Sequence, residues 1–449
     1  MTHKATTQEN INKLIEFRQA IYEHGMVMRK DALFDLLDAI LTTGGISSFA
    51  MLSLSEHFQR KWPSLYAGVE DGQLNQAWLR KYLGTQVPAQ GVCVFPLDAS
   101  AWKRPRARTL EDRQYVYQAS TAVNGGTLTI GYPYSLLEWC AEPHSSWSLP
   151  LDVRRIPSTR TALEIAEEQI QSLAETRATC FGALDIVAAD RKYGNSSFLR
   201  AVQGTRCGVV ARLRKDRVLY HASTTVHTGK PGRPRVHGDR LAFKEPDTWG
   251  CPEEVVELED AWFGKVRLER WHDLHEIRSR DVPYDVLRAS IHLEYERPPQ
   301  AIWLVWQAPP TTPADIHLTA ETLWRAYIAR WPVESGIQFR KENLNWTLPR
   351  FQSKETCDLW TELIAIATWI IFLARNVVED TPLPWQKKQR RLTPQRVQQS
   401  LRPIFMLIGS PARPPKQRGK SPGWRKGRRR TPKASHPVVK KHYTASVLA

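Results

Sequence analysis

Between residues 92 and 213, short apolar runs alternate with helical patterns in an order that few folds accept. Residues 92–97 (VCVFPL) end at Asp98, residues 126–131 (GTLTIG) alternate like a second strand, and 149–156 offer a third. The spacing then predicts an amphipathic helix over 161–177 and a fourth strand over 183–188 running into Asp190. A short helix from about Asn195 and a fifth strand over 208–213 follow. The order β-β-β-α-β-α-β, with one more helix much later, is that of the ribonuclease H-like α/β fold.

This core is expected over 89–214 and again over 316–380. Residues 1–88 predict a small helical N-terminal domain, because LIEFRQAIYEHGMV, ALFDLLDAILTTGG and LNQAWLRKYLG space their apolar residues helically. DNA binding and oligomerisation are both open for it. Residues 215–315 lack that spacing. Short runs such as VRLERWHDL, IHLEYE and IWLVWQA alternate there with Gly/Pro turns, including KPGRPRVHG at 230–238, and predict a mostly β insertion. The apolar stretch 363–374, flanked by Glu362 and Arg375, is shorter than a bilayer span and predicts a buried helix, with no membrane partner. Six dispersed cysteines without a Cys-x-x-Cys pair argue against a zinc module or disulfide framework, and suit a reducing cytoplasm.

The net charge of +17 is concentrated at one end. Of 63 Lys and Arg, 18 lie in 381–449 with no acid among them, so the first 380 residues hold 45 bases against all 46 acids. Rich in Pro, Gly and Ser, this stretch predicts a basic, largely disordered tail whose partner is a polyanion. Charge alone points to nucleic acid without saying what is done to it.

Three carboxylates stand at telling places: Asp98 after the first strand, Asp190 after the fourth, and Glu334 on the late helix. In a ribonuclease H-like sheet the first and fourth strands are neighbours, so these groups would converge on one edge. Clustered carboxylates repel and call for divalent metal, and an all-oxygen set suits Mg²⁺. Around Glu334, the string Tyr327-Ile-Ala-Arg330-Trp-Pro-Val-Glu334-Ser-Gly-Ile-Gln-Phe-Arg-Lys341 spaces four polar side chains at 0, 3, 7 and 14. On a continuous helix they fall within roughly 60° of one another. Pro332 interrupts that picture, for it either kinks the helix or starts a new one. In the second case only Glu334 and Lys341 share a face. Each group also has an ordinary alternative: Asp98 as a turn cap, Asp185 in place of Asp190, Glu334 in an i,i+4 pair.

With these residues in order, the chain resembles insertion-sequence transposases of the DDE class, in the branch marked by Y-x2-R-x3-E-x6-K. Tyr327, Arg330, Glu334 and Lys341 match that signature without a change of spacing. LDASAWKRPRARTLEDR around Asp98, IGYPYS at 130–135, VAADRKYGNSSFL around Asp190, and KPGRPRVHG with the following Asp247-Thr-Trp249 extend the similarity over roughly 30–375. The resemblance implies that Asp98, Asp190 and Glu334 bind Mg²⁺, with Mn²⁺ as a substitute. It also implies that Arg330 and Lys341 touch DNA phosphates, with Tyr327 packing against DNA or orienting Arg330. It further implies cleavage at terminal inverted repeats and joining of 3′ ends to target DNA, by a homodimer in the bacterial, nucleoid-associated cytoplasm. A tryptophan of the insertion holds a flipped base in such relatives, and Trp249, Trp262 and Trp271 are the candidates here. Two other readings stay open: a DNA-binding relative that has lost catalysis, and a nuclease or resolvase that cuts without joining.

Overall fold

The computed structural model describes residues 2–117, 127–142, 144–223, 235–292, 300–389, 391–416, 427 and 432–441. A strand forms at each run read from 92 to 213. These are β1 (Gln90–Lys103), β3 (Leu128–Cys140), β4 (Ser148–Arg155), β5 (Gly182–Ala189) and β6 (Gly208–Arg212), with an unforeseen β2 (Gln114–Tyr117) between the first two. β1 runs parallel to β5, from Gln90 opposite Gly182 to Leu97 opposite Ala189, and β5 runs parallel to β6. On its other side β1 pairs antiparallel with β3, and β3 with β4, so this part of the sheet has the order β4-β3-β1-β5-β6. β5 (GALDIVAA) is buried beyond its first residue, as a central parallel strand covered on both faces must be. β1 outruns its apolar stretch because its second half, Leu97 to Lys103, is held by β3 after β5 has ended.

Helix α5 (Ala162–Thr176) leads into β5, and a capping box between Thr161 and Glu164 fixes its start. Asn195 caps α6 (Ser196–Val202) by accepting from the Phe198 N–H. The four N-terminal helices are α1 (Thr2–Ala20), α2 (Lys30–Thr42), α3 (Trp62–Asp71) and α4 (Gln76–Thr85). They share one continuous core with the sheet rather than enclosing one of their own. The organising element is α9 (Lys354–Ala374), which packs on β4 on one side and on α1, α2 and α3 on the other. Phe17 of α1 stacks on Trp369 of α9, with ring centroids 6.4 Å apart. By length and composition α9 is a helix that can cross a membrane, yet most of it is buried within the molecule, which makes it a core helix.

Residues 218–307 add β7 (Val218–Ala222), β8 (His237–Ala242), β9 (Glu254–Asp260), β10 (Gly264–Glu276), β11 (Ser279–His292) and β12 (Gln300–Gln307). They extend the same sheet instead of standing apart. β12 pairs antiparallel with β6, Leu304 opposite Arg212, giving twelve strands in the order β8-β7-β10-β11-β12-β6-β5-β1-β3-β2, with β9 on β10 and β4 on β3. Of the run at 230–238, residues 230–234 lie outside the described residues.

The tail departs from expectation. α10 (Pro394–Gln399) and α11 (Leu401–Ile408) are ordered helices that bury Val397, Leu401 and Phe405 against the N-terminal helices. Those three residues fall at i, i+4 and i+8, one apolar face that the overall charge count conceals. The Arg18 guanidinium lies 4.1 Å from the Phe405 ring while it pairs with Asp38 in a site where both side chains are 2 % exposed. Residues 417–426, 428–431 and 442–449 lie outside the described residues.

Candidate active site

Asp98 and Asp190 are the next residues after the last parallel pair, Leu97 opposite Ala189, so they stand side by side where β5 ends, Asp190 just past that strand and Asp98 within β1 rather than after it. Neighbours in register on parallel strands point to the same side of the sheet. Asp98 keeps one oxygen on its own strand, accepting from the Ala99 N–H at 2.7 Å. Asp190 accepts from the Lys192 N–H at 2.8 Å, which closes the turn after β5. Asp185, the rival within β5, is fully buried and gripped by Arg177 through both oxygens at 3.0 Å, with Arg206 3.4 Å away. It is part of the core, not of the edge.

The third carboxylate arrives on a broken helix. α7 (Ala320–Ile328) ends before Pro332, and α8 (Pro332–Glu342) begins with the proline in its first turn. Between them the chain turns through i→i−3 bonds, Arg330 N–H to Tyr327 O and Trp331 N–H to Ile328 O. The single face carrying Tyr327, Arg330, Glu334 and Lys341 is therefore not formed. Tyr327 is buried in the last turn of α7, Arg330 sits in the connector, Glu334 in the first turn of α8 and Lys341 in its last turn. Proline cannot continue a helix without losing a backbone bond, and starting a new one avoids the loss.

Arg330 gathers what the helix face does not. Its Nη1 lies 3.5 Å from Asp98 Oδ2 and its Nη2 3.4 Å from Glu334 Oε1. Glu334 remains more than half exposed while Arg330 is buried, and the buried Nε of Arg330 has no hydrogen-bond partner. Burial pushes the Asp98 carboxyl up to about 6; its Ala99 N–H bond and Arg330 oppose this, and the charges of Asp190 and Glu334 add to it. The phenol of Tyr327 is likewise pushed up by burial, against the pull of Arg330 and Arg212.

α8 is fastened at its far end by a buried ion pair. Arg340 donates to Glu138 of β3, both side chains almost wholly buried, and Glu138 accepts a second bond from Ser148 Oγ at 2.5 Å. The Lys341 ammonium lies 5.8 Å from the centre of the Trp346 ring, and burial, then Lys103 and Arg340, press its pKa down. Sequence reasoning passed over Lys103, Lys192 and Trp331. Lys192 stands two residues after Asp190 and is exposed overall; partial desolvation lowers its pKa, and Asp190 and Asp98 oppose that fall. Its one signal in sequence is a place in ADRKYG next to the carboxylate.

Two of the three candidate tryptophans belong to packing. Trp271 is 1 % exposed, against Trp303 at 5.8 Å. Trp249 is half-buried, donates from Nε1 to Ala242 O at 2.8 Å, and carries the Arg288 guanidinium 4.5 Å from its ring. Trp262 differs. It is 46 % exposed at the β9–β10 turn and lies 6.2 Å from the half-exposed Trp331, the residue after Arg330. Asp260 ties this turn to α7 by accepting from Trp324 Nε1 at 3.0 Å.

The donor set is carboxylate oxygen throughout, which fits a hard divalent cation. As the side chains stand, Arg330 lies between Asp98 and Glu334, and no three His, Cys, Asp or Glu among the described residues are grouped closely enough to hold a metal ion. A family profile described as DDE superfamily endonuclease matches residues 23–274. The chain belongs to the DDE superfamily endonucleases. The match includes Asp98 and Asp190 of this DDE endonuclease and ends before Glu334. No curated protein matches the chain. Among solved structures it is similar to a cryo-EM structure of a piggyBac transposase synaptic complex with hairpin DNA. That likeness has 10 % identity over 89 % of this chain and 77 % of the other, with a TM-score of 0.40.

Proposed function

We propose that this DDE endonuclease is a DNA transposase of the branch marked by Y-x2-R-x3-E-x6-K. In this reading it binds terminal inverted repeats, cleaves the transposon ends and joins the freed 3′ ends to target DNA. The observation that carries the reading is the adjacency of Asp98 and Asp190 across β1 and β5, with Glu334 drawn to Asp98 through Arg330. The order β4-β3-β1-β5-β6, parallel only among its last three strands, supports a ribonuclease H-like core interrupted by the strands from 218 to 307.

Asp98, Asp190 and Glu334 would hold the divalent cations, Mg²⁺ or Mn²⁺ in its place. When bound, such ions activate the attacking hydroxyl and stabilise the leaving oxygen at a phosphodiester. Arg330 would then turn its planar fork from the two carboxylates to a phosphate, whose oxygens it can bind in pairs. Lys341, with Lys103 within electrostatic reach, takes the backbone alongside. Trp262 and Trp331, both partly exposed and 6.2 Å apart beside this connector, are the rings against which an unstacked base would lie. Two copies acting on two ends is the assembly that such joining implies.

The test is a strand-transfer assay with labelled terminal-repeat duplex, target plasmid and Mg²⁺. Joined products that disappear in Asp98→Asn and Glu334→Gln are expected. Cleavage without joining would instead assign a nuclease, and binding without either a silent relative. Joining that persists in both variants sinks the carboxylate assignment.

A further inference from the structure

The last described stretch of the chain does not trail away from the body. The His436 N–H donates to Arg108 O and the Val439 N–H to Arg113 O, each at 2.8 Å, and Arg113 Nη2 returns a bond to His436 O at 3.0 Å. Val439 thereby forms a parallel bridge with Gln114, the first residue of β2. Lys441 Nζ donates to Arg160 O, just ahead of the Thr161 cap of α5. Because α5 leads through a short connection into β5, its amino end lies at the edge where β5 finishes, the edge of Asp98 and Asp190. The chain is also pinned further back, by Arg413 N–H on Asp31 Oδ1 at 2.9 Å and Arg18 Nη2 on Gly409 O at 2.9 Å.

This docking brings Lys441 within electrostatic reach of Lys192, which itself faces Asp190 and Asp98. The acids nearest Lys441 are already engaged. Asp112 accepts from Arg155 at 2.8 Å and from the Ser158 N–H at 3.1 Å, and Glu164 accepts from the Thr161 N–H at 2.6 Å. Lys192 keeps Asp190 and Asp98 as neighbours, whereas the acids near Lys441 are committed to other partners, so the docked Lys441 ammonium is left to meet an outside anion.

We propose that the docked segment 436–441 is part of the DNA-binding edge of the catalytic core, with Lys441 and Lys192 holding one backbone phosphate of a DNA strand beside Asp190. The inference rests on the transposase reading for its DNA, but not for its docking. It changes the tail from a free basic arm into an element with a fixed address, since a free arm adds charge at no defined position.

Two measurements on the full chain test it. In the DNA-free protein, a short amine-reactive cross-linker is expected to join Lys441 to Lys192, as read by mass spectrometry of the digest. On duplex DNA, Lys441→Ala is expected to lower the slope of log affinity against log salt by about 1, with Lys441→Arg restoring it. Lys440→Ala, at the exposed neighbour, should leave that slope unchanged. A missing Lys441–Lys192 link overturns the docking, and an unchanged slope in Lys441→Ala overturns the phosphate contact. If the wild-type chain binds no DNA, the transposase reading and the phosphate contact fall together, while the cross-link still reports whether the segment docks.

Discussion

The guanidinium of Arg330 lies 3.5 Å from Asp98, the carboxylate that stands beside Asp190. The same fork reaches Glu334, so one protein cation balances two acids of the edge. Removing it should leave those acids facing each other. Arg330→Ala is therefore expected to unfold at lower temperature than wild type without divalent cation, and to gain more than wild type when Mg²⁺ is added. Thermal unfolding with and without Mg²⁺ checks this, and an equal gain in both proteins refutes it.

Asp98 gives a pH prediction. Its carboxyl is raised from 3.8 to about 6, chiefly by burial, so the folded chain holds a proton that the unfolded chain releases. Stability from this group is full below about pH 4 and is lost as pH rises through 6. Asp98→Asn removes that loss. In chelator it is expected to be more stable than wild type at pH 7.5, by up to about 3 kcal/mol, and by only about 1 kcal/mol at pH 4.5. Denaturant titrations at the two pH values decide the matter.

Arg340 and Glu138 fasten α8 to the sheet in a site that water does not reach. Breaking such a pair from one side strands a buried charge, at a cost of about 3–5 kcal/mol. Arg340→Met and Glu138→Gln should each destabilise strongly, and the double variant by less than their sum. A double-mutant cycle in denaturant measures the coupling, and strict additivity would contradict it.

Trp262 and Trp271 should separate function from packing. Trp271→Ala empties a fully buried site and is expected to cost about 3–5 kcal/mol. Trp262→Ala lies on the surface, so it should leave stability within about 1 kcal/mol while weakening DNA cleavage. Equal loss of stability in both variants would remove Trp262 from the site.

Asp185 and Asp190 offer a matching control. Asp185→Asn should lower stability by loosening Arg177 yet retain Mg²⁺-dependent cleavage, whereas Asp190→Asn should abolish cleavage with the fold intact. Purified variants compared by unfolding and by a nicking assay distinguish the two.

Much of this was written locally in the chain. Each of the five runs between 92 and 213 is apolar or alternating over its own length, so its strand could be recognised without knowledge of its partners. The capping box at Thr161 and the proline at 332 are likewise local, and the latter announced a break that the spacing of Tyr327 to Lys341 contradicted. The tail misled for a related reason. Its charge is visible by counting, while its docking depends on backbone bonds and on three apolar residues from 397 to 405.

What the sequence alone determined was the succession of the five core runs and the acids that follow the apolar runs at 92–97 and 183–188, because both follow from short-range periodicity. That β1 continues past Asp98 to Lys103 did not follow from it. Only the tertiary structure decided that Asp190, just past the end of β5, lies at the edge and Asp185, within that strand, in the core. It alone set Arg330 between Asp98 and Glu334, and it separated Trp262 from Trp271. Burial and electrostatic partnership arise from segments far apart in the chain, and no local pattern encodes which charge will face which.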